Sequence, residues 1–538
     1  MKKAKRILCM ILAAASLLSL TACGAKQTEA QPKETAAAAS VSEETPDPLG
    51  RYAETVTVHT VASSNANCKF PEGCDWNNNP FLDLIKEELN IEVVFDWVAD
   101  GSQYENKLAT MMVSGKLPDF FIVMGNDYFD LASQDAVMDL AEVHEKYASP
   151  LMREKEAAFR EGFDSAYFDG KLYGIPRLGY GSLNSALFWI RRDWLEKCGM
   201  EVPTTMDELH DVAKAFMEKC GASYGISFSK TLTDNKMNTA IPFANAFHSY
   251  PCHWFKKDGQ ITYGSIQPEM KNTLQMLQNW YKEGIIDPEF SVKDDTKCRE
   301  GFASGKCGIM TGLNWMGAQF QDSAKNDPNA DWIAMEIPAV DDVPITYQAT
   351  WPVNGYYVVN KDCEHPEAML KIMNLYVKVF DEGYIEECKM KWGLNKDSWP
   401  AYQTSPLTDY IANVEILEAM ETGDESKLSP GSVNHYHGMK AWMDDHNFEG
   451  YMRYLQHTSA YPILRPLLDS GRVQLDELHG MMPKSYIKVK GTLDQMENET
   501  FVKIIMGDDI DTFDTFVTTW RSMGGDTAIA EANAMFAK

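Results

Sequence analysis

Several short patterns in this chain bring together side chains able to do chemistry. Gly301-Phe-Ala-Ser-Gly305-Lys306 has the glycines and lysine of a phosphate-cradling loop. It is one residue short, however, and lacks the Ser or Thr after the lysine that would hold a magnesium ion, so it reads as a tight turn beside a strand. Ser227-Phe-Ser-Lys230 and Ser485-Tyr-Ile-Lys488 match the Ser-x-x-Lys of acylating serines, without the Ser-Asp-Asn or Lys-Thr-Gly elements that give it meaning. Asp75-x-Asn77-x-Asn79 opens like a calcium loop, but Pro80 stands at the glycine position and Lys86 at the final carboxylate position. Asn77–Asn79 reads as a turn and N-cap before a helix. His435-Tyr-His437 could set two imidazoles on one strand face; with no third ligand in view, a surface loop is the better reading. Neither a Gly-x-Ser-x-Gly elbow nor a His-Glu-x-x-His helix occurs. The 78 acidic residues make some close carboxylate pair inevitable, yet no local sequence marks one as a glycosidase pair. The expectation is a protein with no catalytic residue, no cofactor and no metal site.

The elements that position such residues belong to a globular chain. Of 538 residues, 44 % are apolar and 24 % charged, enough for two to four domains with ample core. A net charge of −28 gives no general attraction to nucleic acid or anionic lipid and favours a soluble monomer. The 13 Trp, 23 Tyr and 24 Phe exceed what a core obviously needs.

Lys2, Lys3, Lys5 and Arg6 precede an apolar run from Ile7 to Leu20. As helix that run covers about 21 Å, short of a bilayer core of about 30 Å, so it reads as a secretory signal. It ends in Leu20-Thr-Ala-Cys23, which resembles the lipobox of bacterial lipoproteins. That resemblance implies cleavage after residue 22, a lipid on Cys23 and a location on the outer face of the cytoplasmic membrane. Residues 23–50 are polar and poor in large apolar side chains, and read as a flexible tether. The 11 cysteines fall to nine once Cys9 is removed and Cys23 is lipidated, with no Cys-x-x-Cys pair among them. Cys68 and Cys74 could pair across a short loop; scattered buried thiols are the preferred reading.

Hydrophobic patterning gives strands at 55–61, 91–97 and 120–124, with helices at about 80–89 and 103–114. The apolar Phe120–Met124 run is of the kind buried in a parallel sheet. Strand–helix alternation argues for α/β layers, with ligands at the carboxyl ends of the strands. Two loops are expected there, Asn65–Asn79 and Gly125–Asp130. Thr205-Met-Asp-Glu208 reads as a capping box, and further helices are expected at 268–282, 366–380 and, broken at Gly507-Asp508 and Gly524-Gly525, over 492–536.

Ser114-Gly-Lys-Leu-Pro-Asp119, Asp169-Gly-Lys-Leu-Tyr-Gly-Ile-Pro176 and Leu187-Phe-Trp-Ile-Arg-Arg-Asp-Trp194 running on to Pro203-Thr-Thr-Met-Asp-Glu-Leu209 follow one another along the chain. Phe302-Ala-Ser-Gly-Lys-Cys-Gly-Ile-Met-Thr311 with Asn314-Trp315, and Gly507-Asp-Asp509, come after them. Together they resemble the extracellular solute-binding proteins of bacterial ABC importers, in the large lipoprotein branch that binds sugars and oligosaccharides. The resemblance implies an α/β, periplasmic-binding-protein-like (type II) fold, with two lobes, a hinge and a ligand cleft between them. Lobe one is expected at 51–186 plus 350–400, and lobe two at 187–349 plus 401–538. It also implies hinge closure on the ligand and delivery to the importer's permease subunits.

A pyranose offers an apolar C–H face and a fringe of hydroxyls, which aromatic rings and planar amides or carboxylates can match. Trp76 with Asn77, Tyr128 with Asn126 and Asp127, and Trp315 with Asn314 offer that pairing. Tyr180, Phe247, Trp254 and Trp351 lie in segments that the family would place along the cleft. The leading expectation is thus a lipid-anchored oligosaccharide-binding protein. The alternatives are a surface lipoprotein glycoside hydrolase and a binding protein of the same fold for peptides or another solute.

Overall fold

The computed structural model describes residues 46–65, 68–179, 184–233 and 237–536. The signal peptide, Cys23 and most of the tether lie outside the described residues, as does Tyr180. The tether ends earlier than residue 50. Lys371 Nζ donates to the carbonyls of Asp47 and Gly50 at 2.7 Å each, and Asn374 Nδ2 to that of Pro48 at 3.1 Å. These distant side chains fix the segment, and Leu49 packs against the first core.

In the first lobe, strand Val56–Ser64 pairs in parallel with Ile91–Asp100. Helix Pro80–Leu89 connects them, burying Phe81, Ile85 and Leu89 at four-residue spacing. Its start is fixed by Asn79, whose Oδ1 accepts from Phe81 N at 3.0 Å and Leu82 N at 3.3 Å, and by Pro80 in the first turn. Asn77–Asn79 is therefore the expected turn and cap. Strand Phe120–Val123 departs from expectation: it pairs antiparallel with Val353–Val359, which also pairs antiparallel with Ile175–Leu178. An all-apolar strand reports that both faces are covered, and that holds whichever way its neighbour runs.

The second lobe is built on Leu187–Arg191, buried at every position and flanked antiparallel by Ile309–Gly312 and Trp332–Met335. The capping box at Thr205 opens helix Met206–Ala215, and helices Pro268–Lys282, Lys484–Met506, Thr512–Trp520 and Asp526–Met535 complete the lobe. Two large apolar cores result. One joins Val56–Leu178 side chains to Trp351–Tyr402, the other Leu187–Tyr347 side chains to Tyr451–Ala532. A third, small cluster of Ile416, Tyr436, Met439 and neighbours holds helices Thr408–Thr422 and Pro430–Asp445 together.

Two local expectations are corrected. Gly125–Asp130 is no loop but the start of helix Gly125–Ser133; the Gly-Asn-Asp run looks turn-like, while Asp127 in the first turn suits the helix dipole. His435 and His437 lie on helix Pro430–Asp445, where a two-residue step points side chains to different faces. His435 faces inward, and His437 is exposed against Glu425 at 3.0 Å. All nine cysteines among the described residues are free; Cys198 and Cys220 approach to 3.6 Å between sulfurs, while Cys68 and Cys74 form no bridge.

Candidate functional site

Between the two lobes and the 408–445 helices lies a cavity of about 910 Å³, near the top of the roughly 300–1,000 Å³ range of ligand sites. Strand Ile309–Gly312 ends in a short turn at Asn314–Met316 that presents one wall. Asn314 and Met316 are buried on either side of Trp315, which stays half-exposed and lines the cavity. Asn314 Oδ1 accepts from Gln456 Nε2 at 3.3 Å, and Gln456 Oε1 accepts from Arg453 Nη1 at 3.0 Å. The cavity is thus lined by a planar ring and by two amides and a guanidinium that fix one another's orientations.

Other residues of the lining are charged. Lys155 Nζ meets Asp381 at 3.0 Å. Asp409 accepts from the Tyr461 hydroxyl at 2.5 Å, and Glu415 accepts from Ser429 Oγ at 2.7 Å and Ser432 Oγ at 2.6 Å. These bonds hold the carboxylates still, ready to accept from hydroxyl groups of a ligand. Burial pushes the Lys396 ammonium down. His435 Nδ1 lies 3.1 Å from His457 Nε2. Burial, then Arg453, pushes His457 down to about 3 and holds His435 well below the ordinary imidazole value, with His457 and Lys389 adding to the effect on His435. Both rings are therefore neutral at pH 7.

Of the residues proposed from sequence, Asn314 and Trp315 line this cavity. The others among the described residues are placed elsewhere. Trp76 sits edge-on between Phe70 and Phe95 at 5.4 and 5.3 Å, and Asn77 bridges the Phe95 backbone, accepting at 2.8 Å and donating at 3.3 Å. Tyr128 is fully buried, stacked on Tyr356 at 4.2 Å and donating to the Ala166 carbonyl. Trp254 is buried 5.2 Å from both Tyr263 and Tyr486. Trp351 stacks on His479 at 4.0 Å, and Phe247 is half-buried after helix Ile241–Ala246. Asp127 is half-exposed beside Asp130 and Glu105, with burial pushing its carboxyl up.

Asn126 has a different task. Its amide donates to the Met482 carbonyl at 2.7 Å and accepts from Met482 N at 3.0 Å, clasping one lobe to the other. Lys484 meets Asp130 at 2.6 Å in the same contact. The backbones are so close there that a Cβ on Gly125 would lie 1.8 Å from the Gly480 carbonyl oxygen. The cavity residues missed in the sequence, Arg453, Gln456, Glu415 and Lys389, stand on helices without a motif. His435 was visible, but as half of a metal pattern.

The family model for bacterial extracellular solute-binding proteins matches residues 78–379. The chain belongs to that family. Solute-binding proteins of known structure share its two-lobed fold. The HMO-binding, ABC-transporter-associated solute-binding protein from Bifidobacterium longum infantis superposes with a TM-score of 0.65 at 14 % identity, over 89 % of this chain and 98 % of its own. Among relatives, the polygalacturonan/rhamnogalacturonan-binding protein YtcQ of Bacillus subtilis is 24 % identical over 64 % of this chain and 70 % of its own length. The fructooligosaccharide ABC transporter substrate-binding protein FusA of Streptococcus pneumoniae is 26 % identical over 52 % of each chain.

Proposed function

We propose that the protein captures an oligosaccharide in the cavity beside Trp315 and delivers it to the permease of an ABC importer. The observation that carries this reading is the half-buried Trp315 ring lining the same cavity as the mutually bonded amides of Asn314 and Gln456, with residues of both lobes in its walls. An indole covers the C–H face of a sugar ring, while oriented amides and carboxylates bond its hydroxyls. YtcQ and FusA, relatives named for polygalacturonan and fructooligosaccharide, support a carbohydrate ligand. Closing the lobes on the sugar expels water from these bonds and favours the closed state by the difference in contacts. In this reading Cys23 carries the lipid that tethers the protein outside the cytoplasmic membrane, and the lobes divide near residues 187, 350 and 401. Trp76, Asn77, Asn126, Asp127, Tyr128, Phe247, Trp254 and Trp351 then support the lobes or their closure.

A thermal-shift screen against defined oligosaccharides tests the reading, since a ligand of the native state alone raises the unfolding midpoint. A saturable rise with one oligosaccharide class supports it. Rises with peptides and with no carbohydrate would reject it.

A further inference from the structure

One end of the cavity contains a chain of donors whose direction the structure fixes. Asn413 Oδ1 accepts from Arg465 Nη1 at 2.9 Å, while Nδ2 donates to the His457 carbonyl at 2.9 Å, so the amide has one orientation. That Nδ2 also points at His457 Nδ1 from 3.3 Å, which makes Nδ1 the acceptor. The His457 proton therefore sits on Nε2 and is donated to His435 Nδ1 at 3.1 Å. The His435 proton is left on Nε2, on the ring that lines the cavity. With both imidazoles neutral, the relay presents a donor there.

Arg453 lies close enough to lower the proton affinity of both histidines, and Lys389 that of His435. Arg453 bonds the neutral amide of Gln456 and forms no ion pair among the described residues. Glu415, the carboxylate of this wall, is held by Ser429 and Ser432. A neutral hydroxyl could accept from His435, but would leave the guanidinium without a counter-charge once closure expels water. A planar carboxylate accepts from both and matches the free edge of the guanidinium. Resting on the carbohydrate reading of this cavity, we propose that the Arg453–His435 end recognises a ligand carboxylate, so that the preferred oligosaccharide carries a uronic acid.

The test is titration calorimetry of the intact protein with trigalacturonate, its methyl ester, a sulfated galactose trimer and neutral malto- and fructo-trimers. The acid is expected to bind about tenfold more tightly than its ester at low salt, with that advantage shrinking as salt is added. Arg453→Gln is expected to abolish the advantage of the acid over its ester. The ester and salt comparisons need no variant, so they decide the matter even if that variant misfolds. Equal binding of acid and ester, binding of neutral trimers alone, or tighter binding of the sulfated trimer would each overturn the inference and leave the carbohydrate reading standing. Failure of every sugar to bind would overturn both.

Discussion

Glu497 gives the sharpest prediction about the folded body. It lies on helix Lys484–Met506, 1 % exposed, and accepts from Ser265 Oγ at 2.7 Å and from Tyr263 Oη and Cys252 Sγ at 3.1 Å each. Three donors favour the carboxylate, yet burial outweighs them, and the carboxyl is raised from 4.5 to about 7. A carboxyl raised on folding holds more protons in the native state than in the unfolded one. Its contribution to stability is therefore complete below pH 4.5 and is lost as the pH rises through about 7. The separation of the two values corresponds to about 3 kcal/mol. Glu497→Gln keeps the shape and cannot ionise. Between pH 5 and pH 8 the variant should gain about 2.5 kcal/mol on the parent, read from urea unfolding of both proteins followed by tryptophan fluorescence. The buried neutral histidines, which act with the opposite sign at low pH, are common to both proteins and cancel. Parallel stability curves across that range would refute the reasoning.

Other consequences can be checked as directly. Trp315→Ala should weaken oligosaccharide binding by about 2–4 kcal/mol, the scale of a buried aromatic anchor, in a protein that still unfolds cooperatively; unchanged affinity would remove the ring from the site. Gly125→Ala places a Cβ 1.8 Å from the Gly480 carbonyl oxygen. It should part the Asn126–Met482 clasp, giving a larger radius of gyration in solution scattering and weaker binding, while Ser133→Ala on the same helix leaves both unchanged. Thr205→Ala removes a capping-box bond of 3.2 Å and should cost about 1 kcal/mol in stability with ligand affinity intact.

Much of the fold was legible in the sequence wherever local chemistry decides structure. The Asn79-Pro80 start, the Thr205–Glu208 box and the apolar spacing of Pro268–Lys282 each satisfy backbone groups or bury one face without help from afar. The pairing direction of Phe120–Val123 was not legible, because its partner at Val353–Val359 arrives more than two hundred residues later. The candidate site was legible at Asn314-Trp315, where a turn after a buried strand leaves one ring partly exposed to the cavity. It was misleading at Tyr128, Trp254 and Asn77, because an aromatic beside an amide is also what a core or a sheet edge uses. The Arg453, His435 and Glu415 wall was hidden for another reason. Those residues converge only when helices Thr408–Thr422, Pro430–Asp445 and Tyr451–Leu455 pack, and no local pattern encodes that.

The central claim is that the cavity beside Trp315 binds an oligosaccharide and leaves it intact. Titration calorimetry against a panel of oligosaccharides, with chromatography of the sugar recovered afterwards, addresses both halves at once. The account predicts saturation at one sugar per protein, loss of that binding in Trp315→Ala, and recovery of the sugar unchanged. Steady release of shorter products, or a panel with no binder, would contradict it.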